Sequence, residues 1–287
     1  MPFGRKIEVK KSKYEIDMCS GSIMDKLISF SLPLMLSGIL QLMFNAVDII
    51  VVGRFSGSEA LAAVGSTTAL ISMFTNLFIG VSLGTSVLTA RFYAAGRDQE
   101  VSETVHTSIM LALLSGILMV FVGLFFSRGA LELMDTPDDV IDLSTLYMKI
   151  YFVGMPFFML YNYGAAVLRA VGDTKRPLFF LIISGVLNAG LNLFLVVVFH
   201  MGVAGVGIAT VISQMVSCVL VLICLYRAES SYQLRLSKLT MKGVYLKQIF
   251  QVGVPAGIQS TVINFSNVLL QSSVNSFGSI AMAGYTA

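Results

Sequence analysis

The sequence predicts an all-α integral membrane protein: one bundle of six transmembrane helices, followed by the first one to two helices of a second bundle. Three observations predict it. The 287-residue chain is 56% apolar or aromatic and 12% charged, against about 25% charged residues in soluble domains. Six uninterrupted apolar runs reach the roughly 20 residues that a bilayer span needs. Lysine and arginine gather in alternate loops, which is the signature of a multi-pass topology. Mean hydropathy is +0.83. This composition excludes an ordinary cytosolic enzyme, a disordered chain and a nucleic-acid binder. The net charge of +3 is too small to argue for a polyanionic partner.

The complete spans are predicted at Leu27–Gly53, Leu61–Thr89, Thr104–Phe126, Leu143–Leu168, Leu178–Phe199 and Val203–Leu225, with a seventh from about Gln248 to Val274 and an eighth just beginning. The first apolar run is too long for a signal-peptide core and follows a charged segment, so it reads as a retained helix. Residues 1–26 are then a cytoplasmic N-terminal segment, 27–226 a six-helix lobe, 227–246 a basic cytoplasmic linker, and 247–287 the start of a C-terminal lobe. Orientation follows from the loops. Residues 1–26, the second-to-third loop, the fourth-to-fifth loop and 227–247 together carry 16 of the 19 Lys and Arg residues, which places the N-terminus in the cytoplasm. Only Arg54, Arg128 and Lys149 lie on the other side, with the acidic loop Glu132–Asp142. The basic linker could also touch anionic lipid, although a plain topology signal accounts for it.

An internal repeat supports two lobes. Aligning Pro33 with Pro255 places Asn45 on Asn267 and Phe55 on Phe277, and one residue of slippage superposes Gly57-Ser58-x-Ala60-x-Ala62 on Gly278-Ser279-x-Ala281-x-Ala283. Both copies start on the same side of the membrane, which implies a pseudo-two-fold axis along the membrane normal. A complete second copy would give about twelve spans, so the chain is expected to be C-terminally truncated.

Asp48 stands out within the first span, with no basic residue within five positions. A charge at the bilayer centre costs about 2.5–3.5 kcal/mol on insertion scales and marks ion or proton pathways. Such a carboxyl can exchange a proton or trade it for a bound cation. The alternative is a carboxylate hydrated near the outer headgroups, six residues from Arg54. Asn162, Asn188, Asn192 and Thr210 form a second polar set, with Asn188 and Asn192 on one helix face. Their oxygens suit an alkali cation, although interhelical hydrogen bonding explains each one singly. Leu270 occupies the place of Asp48 in the repeat, so the lobes differ chemically. Pro33, Pro156 and Pro255 could bend their helices or be static kinks. Gly80 with Gly84 and the cluster Gly202, Gly205 and Gly207 fit close helix approach. Three cysteines and two histidines offer no disulfide framework and no zinc site. No P-loop, HExxH or GxGxxG opening a helix is present. No cofactor is expected, and uphill transport would have to draw on an ion gradient.

Four stretches resemble the multidrug and toxic compound extrusion (MATE) family. They are VDIIVVG at Val47–Gly53, GVSLGTSVLTARFYAAGR at Gly80–Arg97, LRAVGDTKRP at Leu168–Pro177, and SGVLNAGLNLFL at Ser184–Leu195 with GVAGVGIAT at Gly202–Thr210. The likeness is greatest to the bacterial branch around the DNA-damage-inducible F type. It implies two six-helix lobes in a V and export of amphipathic or cationic organic compounds by antiport with Na+ or H+. It further implies alternating access, residence in the bacterial inner membrane, a monomer when full length, and neither nucleotide nor nucleic acid as partner. By resemblance Asp48 matches the aspartate that binds the coupling ion, and Asn162, Asn188 and Thr210 match its polar partners. Asn192 departs from members with an aspartate there, and Val196-Val197 from those with Asp-Pro or Asp-Leu. A lipid-linked sugar flippase of the same superfamily and an inactive fragment of the exporter are the alternatives. The flippase would want basic residues in its cavity, whereas here they lie in loops. A membrane transferase would need clustered His or Asp near an interface, and the one acidic cluster has no histidine.

Overall fold

The computed structural model describes Ile16 and residues 22–286. Most of the basic N-terminal segment, with Cys19, lies outside the described residues. The described chain is helical throughout: α1 Ile23–Phe55, α2 Ser58–Ala94, α3 Asp98–Glu132, α4 Asp138–Val153, α5 Met155–Ala170, α6 Lys175–Asn192, α7 Gly202–Tyr226, α8 Gly243–Asn275 and α9 Ser279–Thr286. A π-helical turn, Leu193–Val198, extends α6. A 3₁₀ turn, Leu236–Lys238, lies between α7 and α8. Five single helices are long and apolar enough to cross a membrane, and α4 with α5 forms a sixth span bent by 48°. The long α8 does not meet that composition test, because Gln259, Asn264, Asn267 and Gln271 dilute its apolar surface.

The fourth span thus differs from the single helix expected over Leu143–Leu168. Proline is compatible with the first turn of a helix but not with its interior. The chain accordingly ends α4 before Gly154 and opens α5 at Met155, with Pro156 in its first turn. Pro33 and Pro255 behave otherwise, since α1 and α8 run unbroken through them. Beside Pro33, the Ser37 hydroxyl donates to the Pro33 carbonyl at 2.8 Å.

The centre of the bundle is α2, which packs on α3, α4, α5, α8 and α9, while α1 lies against α6. The α2–α8 contact is the most extensive, and its sequence cause is visible. Both helices carry G-x-x-x-G, at Gly80/Gly84 and Gly253/Gly257, and these segments interdigitate. A Cβ on Gly253 would meet the Val81 backbone at 2.5 Å, and one on Gly80 would strike Gly257. Small residues of this spacing let helix backbones approach closely within lipid. Both hairpin turns leading out of α1 and α8 use a glycine with positive φ, Gly57 at 88° and Gly278 at 92°, and the next residue opens the following helix.

Residues 227–242 are not a free tether. Ala228, Tyr232 and Leu234 are buried. The Leu234 amide donates back to the Leu225 carbonyl at 3.0 Å. The buried His106 of α3 receives the Arg235 amide on Nε2 at 3.0 Å while its Nδ1 meets the Ser102 carbonyl at 2.6 Å. Lys242 pairs with Glu103, and its amide donates to the Thr107 hydroxyl at 3.3 Å. At the other end of α8, the Asn275 amide donates to the Met134 carbonyl at 3.0 Å and the Thr136 hydroxyl at 3.3 Å.

Candidate ion-coupling site

The α1–α6 packing carries Asp48 onto the face of α6 that bears Asn188 and Asn192. Asp48 is 9% exposed and Asn192 fully buried. Asp48 lies seven residues before the end of α1, or about 10 Å along the axis at 1.5 Å per residue. The Asn192 side-chain Nδ2 donates to the Asp48 carboxylate and, at 3.3 Å, to the Asn188 Oδ1. Asn188 in turn donates to the Thr210 hydroxyl of α7 at 3.4 Å, and Thr210 donates to the Val206 carbonyl at 3.0 Å. Donation therefore diverges from Asn192, one branch going to the carboxylate on α1 and the other through Asn188 to Thr210 and the Val206 carbonyl on α7. Because both acceptors take the same Nδ2, the Asn192 amide has one orientation, and its buried Oδ1 has no hydrogen-bond partner.

The site lies where α6 changes winding, with the π-helical segment beginning at the residue after Asn192. Such departures from α geometry occur frequently at functional sites. Asn162 stays out of the network. It donates to the Phe158 carbonyl of its own helix at 2.8 Å. The prolines stand apart in role as well, Pro156 at the α4–α5 break and Pro33 and Pro255 within continuous helices.

Sequence reasoning missed a second group. Tyr147 and Tyr151 of α4, four residues apart with ring centroids 6.1 Å from each other, lie within electrostatic reach of Asp48. Gln214 of α7 lies beside Tyr151, and its buried Oε1 has no hydrogen-bond partner. The i, i+4 tyrosine pair in an otherwise apolar span and a lone glutamine in α7 were the available signals.

Chemically, the site has one titratable acid ringed by amide and hydroxyl groups. Among the described residues no three His, Cys, Asp or Glu side chains gather into a metal site. A proton has one place to reside, on Asp48. The oxygens gathered here, the Asp48 carboxylate with Asn188 Oδ1, Thr210 Oγ1 and, on rotation of its amide, Asn192 Oδ1, would suit a hard monovalent cation and not a soft transition metal. The unused Asn192 Oδ1 is the observation that fits such an ion.

The MatE family model matches residues 33–194, more than half of the chain and all of the site except Thr210 and Gln214. The chain belongs to the MATE family. It is 33% identical over 89% of its length to "Probable multidrug resistance protein YoeA" of Bacillus subtilis, covering 57% of that protein. It is 31% identical over 94% of its length to "Probable multidrug resistance protein YpnP" of the same species, covering 60% of it. The chain thus spans about three-fifths of the length of these curated relatives. Among solved structures it resembles an outward-facing MATE family multidrug resistance transporter (TM-score 0.82, 23% identity, 90% of this chain and 57% of that one). An inward-facing one matches comparably (TM-score 0.80, 24% identity, 86% and 56%). These likenesses establish a multi-pass membrane protein with the MATE fold.

Proposed function

We propose that this MATE chain belongs to a secondary active exporter of amphipathic, often cationic, organic compounds, working by antiport with Na+ or H+ through alternating access. It is a transporter and not an enzyme. The single observation that carries the reading is the buried Asp48 carboxylate held by Asn192, whose side-chain amide also ties it to Asn188 and, through Asn188, to Thr210. A lone acid held this way can cycle between an ion-loaded and a protonated form, which is what coupling to an ion gradient requires. The names of the relatives, multidrug resistance proteins, support the substrate class. The distribution of basic residues supports a bacterial plasma-membrane location with the N-terminus in the cytoplasm. In this reading residues 27–226 form one lobe and α8 with α9 begin a second.

The test is efflux of a fluorescent organic cation from bacteria lacking their own exporters and expressing the gene. The wild type is expected to lower dye accumulation and raise the tolerated drug concentration. Asp48→Asn, expressed to the same level in the membrane, is expected to lose both effects. Unchanged efflux by Asp48→Asn would show that the carboxylate does not couple transport.

A further inference from the structure

Residues 234–239 form a wall shared by two cavities of opposite character. The first, about 350 Å³, is lined by aliphatic side chains and Tyr226, among them Met110 and Leu113 of α3, Leu160 of α5, Leu222 of α7, and Leu236 and Leu239. The second, about 570 Å³, is polar, and Ser231, Arg235, Lys238 and Lys242 lie on its rim with Asp98 and Glu103. The linker is therefore amphipathic across its 3₁₀ turn, with leucines on one side and cations on the other. Leu236, although on an otherwise polar segment, is 67% exposed.

The charges on this rim are not balanced internally. Glu103 is taken by Lys242, whereas Arg235 and Lys238 have no ion pair among the described residues. Arg235 holds its place through its backbone amide on His106, and its exposed guanidinium donates from Nε to Gln233 Oε1 at 3.0 Å. The depth of the apolar cavity is also telling. From His106, at the level of the linker, to Leu113 is seven residues of α3, about 10 Å of helix rise, which lies within one leaflet of a hydrocarbon core about 30 Å thick. The crevice is built from α3, α5, α7 and the linker, so it belongs to the six-span unit.

From this juxtaposition we infer that the linker and α3, α5 and α7 form a binding site for one anionic phospholipid of the leaflet on the linker's side. An acyl chain fills the crevice under Leu236 and Leu239, and the phosphate headgroup lies against Arg235 and Lys238. An apolar chain in the crevice covers surface that would otherwise face the bilayer around an uneven gap, and a headgroup anion neutralises two unpaired cations at the depth where anionic headgroups reside. Bound lipid would join the linker to the bundle and so set where α8 begins.

The inference is independent of what the protein transports, and its test reads lipid alone. The intact protein, purified in mild detergent, is titrated with phosphatidylglycerol or phosphatidylcholine of identical acyl chains, and retained lipid is counted by native mass spectrometry. Phosphatidylglycerol is expected to be retained preferentially. Arg235→Ala with Lys238→Ala, both on exposed side chains, is expected to lower its retention about thirtyfold while leaving phosphatidylcholine unchanged. Leu113→Trp, which fills the crevice from its edge, is expected to lower retention of both lipids. Excess inorganic phosphate is expected not to displace the lipid. Equal retention of the two lipids, retention unaffected by the double alanine variant, or displacement by phosphate would each overturn the site. Should Leu113→Trp fail to fold, the double alanine variant decides alone.

Discussion

The Asp48–Asn192 hydrogen bond joins α1 to α6, and the consequences differ for the residues around it. Asn192 supplies both the donor that holds the Asp48 carboxylate and the buried oxygen left without a partner. Asn192→Ala removes both, and a hydrogen bond to a charged group contributes about 1.5–3 kcal/mol. Transport is expected to fall about tenfold or more. Asn162, bonded only within its own helix, is expected to tolerate alanine with transport within about twofold of wild type, on the few tenths of a kcal/mol typical of an uninvolved side chain. Dye-efflux rates at matched expression check both, and equal losses would contradict the separation. Asp48 was legible in the sequence because a lone acid in an apolar run has no structural reason to be there. Asn188 and Asn192 were legible from their spacing. Tyr147, Tyr151 and Gln214 were not, because which face of α4 and α7 meets Asp48 depends on the 48° bend. That bend follows from Gly154 and Pro156 acting together, whereas hydropathy reads straight through them.

The element that most shapes the molecule is α8, fixed along its length by the paired G-x-x-x-G segments and at its ends by Lys242 and Asn275. A side chain on Gly84 would strike the Ile249 carbonyl. Gly84→Leu is expected to destabilise the α2–α8 contact by about 1–3 kcal/mol, the usual cost of overpacking. A cysteine pair across α2 and α8, cross-linked in membranes of the wild type, is expected to cross-link poorly in this variant. Undiminished cross-linking would show that the contact does not depend on close backbone approach. On the linker, His106→Ala leaves the Arg235 amide unmatched, at about 1–3 kcal/mol. Glu103→Gln removes only an exposed ion pair worth about 0–1 kcal/mol. Limited trypsin digestion at Arg235 and Lys238 is expected to speed up markedly in the first variant and little in the second. The polar composition of residues 227–246 hid this docking. Tyr232 and Leu234, both buried, are scattered singly among polar residues there, with no helical period to mark them.

At the scale of the whole molecule, six spans and a docked α8 set a buried acid roughly one-third of a bilayer from the helix ends, at about 10 Å. The six spans were legible from hydropathy and alternating loop charge, because lipid demands both. Orientation is checked by single cysteines placed in a background lacking Cys19, Cys218 and Cys224. One at Asp135, in the acidic loop, is expected to react with a membrane-impermeant maleimide in intact cells. One at Ser237, in the linker, is expected to react only after permeabilisation, and the reverse pattern would invert the topology. The account's central claim is that Asp48 couples an ion gradient to export. Its most direct measurement is uptake of an organic cation into proteoliposomes under imposed Na+ and proton gradients applied separately. One of the two gradients is predicted to drive uptake by the wild type, and neither to drive it in Asp48→Asn. Gradient-driven uptake persisting in Asp48→Asn at the wild-type rate would contradict the account.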